Sequence, residues 1–357
     1  VLLAPPEDLP AALLALDTEV VAPLGGRALA AYRPQEPVEL AAGALVLTSG
    51  STGAPRAVLL SAAAIRASVA ATHARLGGPG DWVCALPVHH VAGFMTVARA
   101  VLAGTRLTMV RADLADLPAA PATGYLSLVP AQLHRALAEP GLRRRLEGWT
   151  ILLGGQAVPP GLLGRAAGLR VVTTYGMAET CGGCVYDGVP LDGVTVRLDG
   201  PGDTSPGEGR ISLAGPVLFA GYRLDPAGTA EVLRDGVLRT RDRGHWADGR
   251  LRVTGRLDDV VVSGGANVDL AELQRRADEV CPDVVVLAVP DARWGQRVVA
   301  VTTSDRDLAQ VVAALDVEPA ARPRELRRVP ALAYTSTGKI DRGALARLWE
   351  ENDGDRC

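Results

Sequence analysis

Ala44-Leu45-Val46-Leu47-Thr48-Ser49-Gly50-Ser51-Thr52-Gly53-Ala54-Pro55-Arg56-Ala57-Val58-Leu59-Leu60 sets two short apolar runs on either side of a loop rich in hydroxyls and glycines. The flanking runs have the length and side chains of buried strands. Between them, glycines let backbone N–H groups approach phosphate oxygens, Ser and Thr add neutral donors, and Arg56 supplies charge-assisted bonds. The Gly-Lys-Ser/Thr ending of a Walker A loop is missing. Composition alone fits a flexible turn as well as a polyphosphate site, so the rest of the chain has to decide.

Outward from this loop, apolar and amphipathic stretches alternate as far as about residue 174: Ser61 to Leu76, Trp82 to Leu86, Val91 to Ala103, Thr105 to Val110. Strand and helix in alternation predict an α/β domain. Between Val194 and Val253 short β-like segments punctuated by Gly, Pro and Asp replace the helices, a β-rich subdomain. After Gly255 a polar turn, a helix near Asp269 to Val280, strands near Val284 to Val289 and Val298 to Thr302, and a helix near Asp305 to Leu315 predict a small α+β domain. The expected fold is therefore α/β, with a large N-terminal domain over 1–254, a hinge at 255–259 and a C-terminal domain over 260–357.

The 357 residues are 48% hydrophobic and 22% charged, enough apolar content for large buried cores. Lys plus Arg total 37 against 40 Asp plus Glu without long blocks, which argues against a nucleic-acid footprint or a polybasic membrane patch. The run Arg143 to Arg145 reads as a solvated helix face. No apolar stretch is long enough to cross a bilayer, and five scattered cysteines fit a reducing compartment, so a cytoplasmic protein without membrane insertion is expected. Cys181 and Cys184 form a Cys-x-x-Cys, but no second pair or nearby His completes a zinc site; small pocket-wall residues are the expected role. The adjacent His89 and His90 should point in different directions, which makes them a poor metal site.

The loop Ser51-Thr52-Gly53-Ala54-Pro55-Arg56 resembles the Ser-Thr-Gly-x-Pro-Lys loop of the adenylate-forming superfamily, which includes acyl-CoA ligases, luciferases and peptide-synthetase adenylation domains. Arg56 stands where Lys is usual, and a guanidinium still binds phosphate. Further matches follow in the order this superfamily requires. Thr173-Thr174-Tyr175-Gly176-Met177-Ala178-Glu179-Thr180 is similar to its Tyr-Gly-x-Thr-Glu motif; the resemblance implies that Tyr175 and Gly176 adjoin adenine and that Glu179 helps hold Mg²⁺ near the phosphates. Thr240-Arg241-Asp242 is similar to its Thr-Gly-Asp, with Asp242 on the ribose hydroxyls. Arg241 and Arg243, flanking Asp242, should favour its ionised form. Gly255-Arg256-Leu257-Asp258-Asp259 resembles the hinge, Arg256 reaching the ribose and Asp258 serving as pivot. Ser263-Gly264-Gly265-Ala266-Asn267 resembles the segment that swings toward the pantetheine tunnel, so Gly264 and Gly265 are candidates for the CoA side. Thr337-Gly338-Lys339-Ile340-Asp341 is similar to the C-terminal Gly-Lys loop, in which Lys339 would bridge the attacking carboxylate and the α-phosphate.

The resemblance spans residue 40 to the end and implies ATP, Mg²⁺ and coenzyme A as reactants and cofactor. Thr48, Ser49, Gly50, Ser51, Thr52, Gly53 and Arg56 would hold the phosphates. For the acid, Leu86-Pro87-Val88-His89-His90-Val91-Ala92-Gly93-Phe94 with Arg99, and Gly182 to Leu191, are similar to the acyl pocket of o-succinylbenzoate:CoA ligases of menaquinone synthesis, as is the short chain to actinobacterial-type members. His90, Arg99, Gly154 and Gly155 are the candidate pocket residues. Arg99, the only cation in the run Val91 to Leu102, would meet the carboxylate that is not activated; a place in solvent or against an acidic neighbour is the alternative. Other readings are another aryl- or acyl-CoA ligase, an enzyme loading a carrier protein, and a non-catalytic nucleotide-binding homologue.

Overall fold

Alternation of apolar side chains across single strands builds the central sheet. In the strand Asp81–Cys84, Trp82 and Cys84 enter one core and Val83 another; in Thr150–Leu153, Leu152 joins the first core while Ile151 and Leu153 join the second. A strand apolar at successive positions has to be covered on both faces. The structure, a computed structural model, describes residues 2–23, 31–33, 36–38, 42–48, 56–159, 161–200, 207–335 and 340–350. Seven strands run in the order Val189–Pro190, Gly182–Tyr186, Arg170–Met177, Thr150–Leu153, Gly124–Leu128, Asp81–Cys84 and Leu107–Met109. From Arg170–Met177 onward all neighbours are parallel, and the first two strands turn back antiparallel.

A five-stranded sheet follows Leu2–Ala4, Val21–Pro23, Ala44–Leu47, Ala57–Leu60 and Gly221–Tyr222. The two apolar runs that flank the hydroxyl-rich loop pair antiparallel, Ala44 with Leu60 and Leu47 with Ala57. Helices cover these sheets. Ser61 accepts the Ala64 N–H at 3.0 Å and caps Ala62–Leu76, which ends on Gly77 at φ 92°. Val91–Ala103 is buried from Gly93 through Ala100. Gly93 permits that depth, because a Cβ there would lie 2.3 Å from the Pro87 carbonyl oxygen. Pro140–Arg145 is a short helix without a buried residue, in keeping with Arg143 to Arg145 as a solvated face.

The chain divides into two compact units, one made of Val1–Asp199, Ile211–Thr240 and Trp246–Leu251, the other of Gly200–Arg210, Arg241–His245 and Arg252–Cys357. The β-rich stretch forms a sheet ordered Thr195–Asp199, Gly209–Ala214, Val237–Ala247, Leu233–Arg234, with Arg250–Arg256 beside Val237–Ala247. The second unit carries its own sheet, ordered Ala266–Asp269, Val260–Ser263, Gly295–Thr302 and Val284–Asp291, with Leu326–Arg328 parallel to Gly295–Thr302. Val284 and Val286 pack with Leu273, Ala277 and Val311 from the helices Leu270–Val280 and Leu308–Leu315. Val285, Leu287 and Val289 face the other way, onto Leu345 and Trp349 of Arg342–Glu350. The chain thus adopts the α/β architecture with a smaller α+β unit that the sequence predicts. No described helix is long and apolar enough to cross a membrane.

Candidate active site

The antiparallel pair Ala44–Leu47 and Ala57–Leu60 brings the two ends of the glycine-rich loop together. The Thr48 N–H donates to the Arg56 carbonyl at 2.9 Å, and the Arg56 N–H donates to Thr48 Oγ1 at 2.9 Å. Ser49, Gly50, Ser51, Thr52 and Gly53 lie outside the described residues. The Arg56 guanidinium sits over the Tyr222 ring, 5.0 Å from its centroid, and the Tyr222 hydroxyl donates to Glu179 Oε1 at 2.7 Å. Glu179 belongs to the 3-10 turn Ala178–Thr180, where Thr180 Oγ1 accepts the Met177 N–H at 2.9 Å. The Glu179 carbonyl accepts the Phe219 N–H at 2.9 Å. Burial, then the adjoining carboxylate, pushes the Tyr222 phenol well above its usual range, so it stays a donor. Sequence reasoning missed Tyr222. Its only local signal is an isolated aromatic closing the apolar run Val217 to Phe219.

Arg170–Met177 carries Tyr175 and Gly176 to the C-terminal end of the parallel strands, where open α/β sheets bind their ligands. Val129, Gly154 and Ala178 leave the sheet at the same edge, after Gly124–Leu128, Thr150–Leu153 and Arg170–Met177. Gly154 and Gly176 are obligatory there. A Cβ on Gly154 would lie 2.2 Å from Thr174 Oγ1, and one on Gly176 would lie 2.0 Å from the Gly182 carbonyl oxygen. Gly155 follows at φ 86°.

His90 is the N-terminal flanking residue of Val91–Ala103. The turn 87–90, closed by the His90 N–H to the Pro87 carbonyl at 3.1 Å, brings the His89 and His90 rings to a centroid separation of 4.3 Å. The expectation that the two rings diverge is thus not met. Burial lowers the His89 pKa and favours its neutral form. Among the described residues no group of three or more His, Cys, Asp or Glu is placed to hold a metal ion.

In the third turn of the same helix Arg99 is only 4% exposed. Its guanidinium lies 5.2 Å from the Trp82 ring centroid, and Nη2 lies 4.0 Å from where a Gly182 Cβ would be. Neither alternative for Arg99 is observed. It does not face solvent, its Nε is buried without a hydrogen-bond partner, and no carboxylate ion-pairs with it among the described residues. Cys181 and Cys184 are both fully buried, and burial pushes the Cys184 thiol up to about 12.

In the second unit, Arg241 meets Asp258 at 3.6 Å, and Arg243 meets Glu208 at 3.3 Å and also Asp269. Arg256, not adjacent in sequence, lies beside Asp242 at 3.4 Å. Arg256 also grips Asp258 with two bonds of 2.8 and 2.9 Å. Burial alone would raise the Asp258 pKa; the Arg256 bonds outweigh it and hold the carboxyl below its usual range. Gly264 and Gly265, at φ 60° and 83°, form the two-residue turn between Val260–Ser263 and Ala266–Asp269. Tyr334 and Ile340 form an antiparallel bridge at the base of the loop that contains Lys339, and Lys339 itself lies outside the described residues.

Residues 8–223 match the family described as AMP-binding enzyme, and residues 278–339 match the AMP-binding enzyme C-terminal domain. A probable 2-succinylbenzoate–CoA ligase of Mycobacterium tuberculosis is 38% identical over 362 residues, covering 94% of this chain and 91% of that protein. The 2-succinylbenzoate–CoA ligase of Salmonella typhimurium is 32% identical over 285 residues, covering 76% of this chain and 59% of that protein. Among solved structures, a variant of Escherichia coli MenE with bound OSB-AMS is similar with a TM-score of 0.75 and 25% identity, over 97% of this chain and 87% of that one.

Proposed function

Because the chain belongs to the AMP-binding enzyme family, we propose that it is a 2-succinylbenzoate–CoA ligase of menaquinone biosynthesis. The acid's carboxylate attacks the α-phosphate of ATP to give an acyl-adenylate and pyrophosphate, and the CoA thiol then displaces AMP. In this reading Thr48 to Gly53 and Arg56 take the phosphates, Tyr175 and Gly176 the adenine, and Asp242 with Arg256 the ribose. Lys339 balances charge as the first transition state forms. Asp258 is the pivot within the hinge 255–259 between the domains 1–254 and 260–357, and Gly264 and Gly265 lie on the CoA side. Glu179 suits Mg²⁺. It offers hard carboxylate oxygen, one atom is held by Tyr222, and the other takes no hydrogen bond among the described residues. One or two carboxylates suffice for a magnesium ion carried on phosphate oxygens. When bound, the ion neutralises charge on the polyphosphate.

The observation that carries the choice of acid is Arg99. A buried guanidinium without a carboxylate is costly, and an acid that keeps a second, unreacted carboxylate would relieve it. His90, Gly154 and Gly155 line the remainder of the pocket in this reading. Arg99→Ala should raise KM for 2-succinylbenzoate by about 10- to 100-fold, as loss of a charged hydrogen bond implies, and leave KM for ATP within about twofold. Wild-type enzyme should prefer 2-succinylbenzoate to the same acid lacking its ring carboxylate, and the variant should lose that preference. A wild type that prefers the monocarboxylate would overturn the assignment of the acid and leave adenylate formation standing.

A further inference from the structure

Three residues from distant segments converge at the exit of the phosphate loop: Arg56, Glu179 and Tyr222. Tyr222 arrives there because Gly221–Tyr222 pairs antiparallel with Ala57–Leu60, Tyr222 opposite Val58. Its backbone is pinned on both sides. The Tyr222 N–H donates to Thr229 Oγ1 at 2.8 Å, and the Arg223 N–H donates to the Ala57 carbonyl at 2.9 Å. The Arg223 side chain, 1% exposed, donates to the carbonyls of Tyr32, Arg33, Glu36 and Pro37 at 2.7 to 3.2 Å. The phenol is thus delivered by a rigid strand, with its hydroxyl on Glu179 and its ring face under Arg56.

Arg56 and Glu179 touch the same side chain, one over its ring and the other at its hydroxyl. Here no ion pair forms between Arg56 and Glu179 among the described residues. We propose that Tyr222 is a positioning residue of the adenylation site, standing between the loop cation and the carboxylate so that neither neutralises the other and each is presented to a different part of MgATP. The inference rests on the roles given above to Arg56 and Glu179. The hydroxyl orients Glu179 toward the metal by occupying one carboxylate oxygen, and the ring holds Arg56 toward the phosphates. The phenol oxygen also attracts the Arg56 side chain, but the ring contact survives in Tyr222→Phe and only Tyr222→Leu removes both contacts.

Calorimetry of ATP binding, with magnesium present or replaced by EDTA, tests this without turnover. Wild-type protein should bind ATP more tightly with magnesium. In Tyr222→Phe, metal-free affinity should stay within about twofold, and the gain from magnesium should shrink about tenfold, the effect of one hydrogen bond to a charged group. Tyr222→Leu removes ring and hydroxyl, so metal-free affinity should fall as well. Glu179→Gln should remove the gain from magnesium, and adding Tyr222→Phe to it should change nothing more, because the hydroxyl acts through that carboxylate. A Phe variant with the wild-type gain overturns the proposal, as does one that loses affinity equally with and without the metal. A wild type whose ATP affinity ignores magnesium overturns it together with the role of Glu179.

Discussion

His73 shows how much one buried side chain can reveal. It is 7% exposed, and its Nε2 accepts the Trp82 indole N–H at 3.2 Å, so that nitrogen must be unprotonated. Burial, then the positive field of Arg99, lowers its pKa from 6.5 to about 4. In the unfolded chain His73 takes up a proton near pH 6.5, whereas the folded chain resists until about pH 4. The unfolded state therefore binds more protons in that window, and stability must fall as pH drops through it. The ceiling is roughly 3 kcal/mol, less what solvent screening removes. Urea unfolding between pH 7 and 4 should show this loss, and His73→Gln should flatten the profile; an unchanged slope would mean His73 is not the group responsible. The sequence marks Arg99 as a candidate because it is the only cation in an apolar run, but says nothing of His73 or Tyr222. Their roles come from what lies across the fold, at separations of 9 residues to Trp82 and 43 to Glu179.

Gly264 and Gly265 occupy equivalent places in one turn and differ in surroundings. Both need positive φ, so alanine at either costs about 1 kcal/mol of left-handed strain. A Cβ on Gly264 would also come within 2.5 Å of the Trp294 ring, whereas one on Gly265 meets nothing within 4 Å. Gly264→Ala should destabilise by about 2 to 3 kcal/mol and Gly265→Ala by about 1, read from denaturant midpoints. Equal losses would show that the indole yields. Continuous or alternating apolar runs made most strands readable, from Ala44 to Leu47 through Val298 to Thr302. The hairpin Val260–Ser263 and Ala266–Asp269 was harder to read. Val262 is 54% exposed and Asn267 and Asp269 are polar, so periodicity is weak and only the Gly-Gly pair signals the turn. The three-residue strands Leu2–Ala4 and Val21–Pro23 are shorter than any pattern, and their pairing partners define them.

Each unit of the chain has apolar cores of its own. The second unit carries Lys339, the only lysine among 37 basic residues. Lys339→Ala should lower acyl-adenylate formation by about 10² to 10³ and leave thioester formation from supplied adenylate nearly unchanged, because the residue is assigned to the first half-reaction alone. Lys339→Arg should rescue little, since a planar fork does not replace a compact point charge. Equal loss of both half-reactions in folded protein would refute the assignment. The pairing of Gly221–Tyr222 with Ala57–Leu60 bears on how the molecule comes into being. The strands that flank the loop leave the ribosome before the strand that completes their sheet, which follows some 160 residues later in the order of synthesis. At about 5 to 20 residues per second, the emerging chain spends many seconds with the edge of Ala57–Leu60 uncovered. The sheet that carries the glycine-rich loop is therefore incomplete until that late strand docks.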